Sequence, residues 1–168
     1  TDDLMNAELT EEQKALVMDY DAGLFKGTVP ADANKQGDFG ATAGFSGKAA
    51  TVSFDGAFAI NYYFTPDAAV AGDMTLYIWN AGDYAAASQL TAANASDVVS
   101  MEQQPNGSYW GQAAGIAAKA LDETYYVAGV YTDADGNTYC TGVIAYSLSK
   151  YCMNNAKPGK DMQALASA

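Results

Sequence analysis

The sequence predicts a mainly β fold, an antiparallel β-sandwich of about seven strands with short flanking helices at the N- and C-terminal ends. Three observations predict it. Between Ala49 and Tyr146 apolar and polar residues alternate with the two-residue period of a strand. The dipeptides Asp55-Gly56, Asn106-Gly107 and Asp135-Gly136 interrupt that alternation at hairpin spacing. No strand-helix-strand alternation occurs, which disfavours a parallel sheet.

Taken in order, the chain reads as one module with three parts: residues 1–48, a helix plus a wrapping segment; 49–146, the β core; and 147–168, C-terminal helices. Thr10 followed by Glu11 and Glu12 is a cap with acids in the first turn, so a short helix is expected over residues 11–20. The Gly-, Ala- and Asp-rich stretch 21–48 has no period and is expected to be irregular. Next come ATVSFDG and AFAINYYF, a hairpin about Asp55-Gly56 with Phe58, Ile60, Tyr62 and Phe64 on one face. MTLYIWN is a third strand, followed by an Ala-rich loop. DVVSMEQ and YWGQAAGI form a second hairpin about Asn106-Gly107, and AAKALDE a single helical turn. TYYVAGVYT and TYCTGVIAYS form the third hairpin, after which Pro158-Gly159 separates two helical runs.

Composition narrows the chemistry. Of the 168 residues, 20 are acidic and 8 are lysines, with no Arg or His, for a net charge of −12. Such a surface repels nucleic acid and anionic lipid, and without Arg the usual bidentate reader of phosphate and guanine is missing. Lack of His removes Ser-His-Asp and Cys-His nucleophile systems and His-ligated metals. No run of about 20 apolar residues is present to insert in a membrane. Thr1 is not an initiator residue, and the apolar repeat of DMQALASA breaks off at the last residue; the sequence therefore reads as a soluble piece cut from a longer protein, and a monomer is expected.

Candidate binding residues are aromatic. Tyr77 and Trp79 share one face of MTLYIWN, opposite Met74, Leu76 and Ile78. Asn61 and Tyr63 are expected to share a face on the preceding strand. Sugar rings stack their C–H faces on Trp and Tyr while amides bond the hydroxyls. The alternative is that the terminal helices cover the Tyr77–Trp79 face as a second core layer. Tyr109 and Trp110 form a second candidate, with Gln103, Gln104, Asn106 and Gln112 nearby; as neighbours on a strand, one ring should be buried and the other exposed. Tyr84 lies in the Ala-rich loop and is a third platform.

Other motifs carry less. Asp133-Ala134-Asp135-Gly136-Asn137 has the start of a calcium loop without its later ligands and reads as a hairpin turn, so no metal is expected. Cys140 and Cys152 are the only thiols: either one disulfide or two free cysteines. The acids sit in turns and helix starts, where capping and solvation account for them, and no nucleophile or acid pair is recognisable; no catalysis is expected.

The pieces TDDLMNAELTEEQK, VSFDGAFAINYYF, TYYVAGVYTDADGNTY, YSLSKYC and the closing QALASA are similar to those of an accessory β-rich module found in large surface and secreted proteins of gut clostridia. There the corresponding pieces look like NTDNLAN, INFYF, a VYD followed by DGN, and YSV followed by DYA. The resemblance spans nearly the whole chain in short, degenerate segments. It implies an extracellular location, secreted or cell-surface attached, beside dockerins, repeats and polysaccharide-degrading domains, in cellulosome-like or starch-adherence systems. It brings no catalytic motif. With the aromatics, the expected function is non-catalytic binding of a polysaccharide such as starch through Trp79, Tyr77, Trp110, Tyr109, Tyr63 and Gln112. The alternative is a structural spacer or protein-interaction module with no glycan.

Overall fold

The computed structural model describes residues 35–53 and 57–155. Among these residues eight strands form one antiparallel sheet: β1 (Phe45–Ser53), β2 (Phe58–Pro66), β3 (Met74–Trp79), β4 (Asp97–Gln103), β5 (Tyr109–Ile116), β6 (Tyr125–Thr132), β7 (Thr138–Cys140) and β8 (Ile144–Tyr146). The spatial order is β1-β2-β5-β4-β3-β6-β7, with β8 also paired to β6. The mainly β, antiparallel fold is thus as expected, but the two layers are halves of one curled sheet. The strand β4 makes the join. Residues 97–101 pair with β3, whereas only Glu102 and Gln103 pair with β5.

Alternation fills the space inside the curl. Ile60, Tyr62 and Phe64 of β2 meet Met74, Leu76 and Ile78 of β3, with Met101, Tyr109, Val127, Tyr131, Ile144 and Tyr146 closing the cluster. Leu148 of the helix α2 (Leu148–Asn155) caps it. Burial of these side chains drives folding, at about 1.5–3 kcal/mol for each large apolar one.

Three boundaries differ from the sequence reading. The strand β1 begins at Phe45, inside the stretch expected to be irregular, and pairs with β2 through Pro66. The Ala-rich loop contains a short helix, α1 (Ala81–Ala86), capped by Asn80, whose side chain accepts from the Asp83 N–H at 2.8 Å. The last expected strand is split into β7 and β8. At Gly142 φ is +76°, and an added Cβ would lie 2.8 Å from the Ala41 methyl, so the chain turns there and rejoins β6 further along. The helices expected over 11–20 and after Pro158, and the Asp55-Gly56 turn, lie outside the described residues. Among the described residues no helix is long and apolar enough to cross a membrane.

Candidate functional site

The outward faces of the two halves have opposite fates. On the β3–β6 half, residues 35–44 run across the sheet. Leu90 N–H donates to the Lys35 carbonyl (3.0 Å), Asp38 N–H to the Leu90 carbonyl (3.2 Å), and Thr42 exchanges bonds with Cys140 at the β7 edge. This path lays Phe39 on Tyr77 and Trp79, with ring centroids 4.8 Å away in both cases. Trp79 is 0% exposed and donates its indole N–H to Asn94 Oδ1 at 2.9 Å. Leu90, Ala128, Cys140 and Val143 complete a second core layer, with Tyr77 half-buried at its margin.

Assignment of Trp79 and Tyr77 to a ligand face is therefore corrected. Among the described residues their cover is the 35–44 segment and Leu90. Tyr84 is also committed, stacked on Tyr126 with centroids 3.6 Å apart and with Lys35 Nζ 4.7 Å from its ring. Tyr109 points inward and is part of the main core, as one of the Tyr109–Trp110 pair must.

On the β1–β2–β5 half no segment among the described residues crosses the outward face. Residues directly opposite in an antiparallel ladder share a face, with Cβ atoms about 5 Å apart. The register therefore sets Ala49, Tyr63, Trp110 and Glu102 in one row across four strands, and Thr51, Asn61 and Gln112 in the next. Ser53 and Ala59 begin a third row. Beyond Ala113 a bulge at Gly115, where φ is +73°, shifts the ladder and leaves Ala114 at the rim. Tyr63 and Trp110 of the first row, Asn61 and Gln112 of the second, and Ser53, Ala57, Ala59, Ala114 and Gly115 beyond them line a depression of about 510 Å³.

Asn61 organises the face. Its Oδ1 accepts from Gln112 Nε2 (2.9 Å) and Trp110 Nε1 (3.3 Å), while its Nδ2 donates to Thr51 Oγ1 (3.2 Å). Gln112 Nε2 also donates to Ser53 Oγ (3.3 Å). Asn61 is only 7% exposed, so these bonds satisfy a buried amide and lock the indole and the Gln112 amide in place. Gln112 Oε1 and the Thr51 and Ser53 hydroxyl hydrogens are left with bonding capacity by this network. Tyr63 and Trp110 are half-buried. The arrangement offers apolar ring surface beside fixed donors and acceptors, as a polyol ligand requires.

Tyr63, Trp110 and Gln112, named from sequence, thus come together. Thr51, Ser53 and Ala59, which share this face, are not among the candidates named from sequence. Their signal was the ladder register: two residues along each strand from Asn61 and Tyr63, the same face recurs. Gln103, Gln104 and Asn106 do not line the depression; Asn106 Oδ1 accepts from the Ser108 N–H (3.0 Å) and hydroxyl (2.7 Å) within the β4–β5 turn.

The remaining candidates are structural. Asp133 carboxylate oxygens accept from the Asp135 and Asn137 N–H groups and from the Tyr139 hydroxyl, all at 2.9 Å. Bonds from Asn137 above all hold this carboxyl below its usual range. Among the described residues no group of three acids or cysteines is placed to hold a metal. Cys140 and Cys152 are free thiols. Cys140 belongs to the outer aromatic layer, whereas α2, which carries Cys152, packs with the main core and β1; the sheet separates them. Burial pushes the Cys140 thiol up, keeping it protonated.

The fold and this face define a curled antiparallel β domain that presents an aromatic and amide surface. No family model, curated protein or solved structure matches the chain.

Proposed function

We propose that this protein is a non-catalytic carbohydrate-binding module that takes a polysaccharide on the β1–β2–β5 face. The observation that carries the proposal is the Tyr63–Trp110 pair. Two half-buried rings stand side by side, one of them fixed by a buried amide, with Gln112, Thr51 and Ser53 placed to meet hydroxyls. The depression runs from Ala57, just before β2, along that strand to Tyr63, about 20 Å of extended chain. The small side chains of Ala57, Ala59 and Ala114 leave its far end smooth, so a short run of sugars has space to lie along the strands.

Starch or another α-glucan is the proposed substrate class, on the resemblance to modules of starch-adherence systems. On the same ground the protein works outside the cell beside other modules of its own chain. A single shallow site of this kind binds in the micromolar to millimolar range, about −8 to −4 kcal/mol, and gains from linked copies. The burial of Trp79 favours a second reading, a structural spacer or protein-docking module, because half of the conspicuous aromatic surface serves the core.

Affinity electrophoresis through amylopectin, pullulan, xylan and β-glucan separates the two. Retardation by one polysaccharide, lost in Trp110→Ala without loss of fold, is the expected result. Equal migration through all four overturns the proposal in favour of the spacer.

A further inference from the structure

We infer that the β1–β2–β5 face selects uncharged polysaccharides over acidic ones, and that Glu102 is the residue that sets this selection; the inference rests on the glycan-binding reading above. Among the described residues, none of the nine that line the depression is Asp, Glu or Lys. A carboxylate or sulfate on a ligand would give up hydration against indole, phenol and amide groups and find no cation among these nine side chains. The nearest lysine along β1, Lys48, stands opposite Phe64, on the inward side, and donates Nζ to the Thr141 carbonyl at 2.9 Å. It faces away from the ligand.

Glu102 adds a repulsive element. It is the direct cross-strand partner of Trp110, exposed, and followed around the curl by no further strand in that row. Its neighbour Met101 is buried in the core, so Glu102 projects outward on the Trp110 side. An acidic sugar stacked on Trp110 would bring its charge within about 6 Å of this carboxylate, which weakens binding roughly threefold in water at low ionic strength. Selectivity of this kind comes from a device that penalises the wrong ligand as well as contacts that suit the right one.

The test uses matched neutral and acidic polymers: pullulan with carboxymethyl pullulan, and hydroxyethylcellulose with carboxymethylcellulose. Tryptophan emission is titrated for the wild type, Glu102→Gln and a charge-matched control, Asp135→Asn, in the β6–β7 turn. The wild type should prefer the neutral member of the pair it binds. Glu102→Gln should keep the neutral affinity and gain about threefold on the carboxymethyl polymer at about 20 mM salt, the gain fading by about 0.5 M. Asp135→Asn should gain nothing. Binding of both members alike, or an equal gain in Asp135→Asn, overturns the inference while glycan binding stands. No response to any of the four polymers, together with equal migration in the gels above, overturns glycan binding itself and the inference with it.

Discussion

Replacing Trp79 by alanine tests which of the two tryptophans is structural. The side chain is 0% exposed, makes an edge contact with Phe39 at 4.8 Å and a stacked one with Tyr77 at 6.3 Å, and donates a 2.9 Å hydrogen bond. Truncating a buried aromatic of this size costs about 3–5 kcal/mol, because the surrounding layer relaxes only in part. At about 2–4 °C per kcal/mol for a chain of this length, the midpoint should fall by roughly 6–20 °C. Asn94 Oδ1 still accepts from the Thr91 N–H at 3.0 Å, so loss of the indole does not orphan it. Trp110→Ala, by contrast, removes a half-buried ring and one 3.3 Å bond, and should cost about 1 kcal/mol. Thermal unfolding followed by far-ultraviolet circular dichroism, with gel retardation of both variants at 20 °C or so, reads the contrast. The pairing expected is unstable but binding for Trp79→Ala, and stable but non-binding for Trp110→Ala. A Trp79→Ala protein that melts within about 2 °C of the wild type and no longer binds would refute the reasoning.

Two further substitutions probe the scaffold. The Tyr62 hydroxyl is fully buried without a partner among the described residues, and desolvation pushes its ionisation far above the ordinary phenol range. Tyr62→Phe should therefore leave stability unchanged or raise it by about 1 kcal/mol in denaturant titration, a drop of similar size being the contrary result. Asp133, whose carboxyl is held low chiefly by Asn137, stabilises the β6–β7 turn in its charged form. That contribution is present above the unfolded value near 3.9 and is lost as pH falls through the lower folded value. Melting temperatures between about pH 5 and pH 2 should fall less steeply in Asp133→Asn than in the wild type; parallel curves would remove the turn from the acid response.

Most of the sheet is legible in the sequence because alternation and turn chemistry agree. Phe58, Ile60, Tyr62 and Phe64 mark the inward face of β2, and Asn106-Gly107 marks the turn that follows β4. What escapes is where local signals are weak. Gly44 and Gly47 break up the pattern at the start of β1, although its ladder to β2 runs from Phe45 to Ser53. Gly82 dilutes an otherwise readable start of α1 at Asn80 with Asp83. The curl is a register property: β4 and β5 share only two residue pairs before diverging, and no composition announces where a hairpin parts.

The candidate site shows the same division more sharply. Tyr77 with Trp79 and Asn61 with Tyr63 are the same kind of local signal, polar or aromatic residues two apart on the face opposite an aliphatic or aromatic core set. Among the described residues one face is covered and the other is not, because of contacts far along the chain. Phe39, 40 residues before Trp79, is carried over it by bonds to Leu90 and Cys140, positions that nothing in MTLYIWN specifies. On the other half the ladder places Gln112 and Trp110 against Asn61 and Tyr63, so that the amide hub forms only when two hairpins meet. Local pattern identifies residues able to stack on a sugar; which of them remain available is decided by what the rest of the chain needs to bury. A strand whose outward aromatics are offered a hydrophobic cover, as Phe39 and Leu90 offer one to Trp79, gives them to the core, since that burial outweighs any weak ligand. Around Tyr63 and Trp110 the neighbours are Thr51, Ser53, Asn61, Gln112 and Glu102, and an apolar cover over those polar groups would cost hydrogen bonds to water. The polar rim is thus what sets this ring pair apart from the core among the described residues.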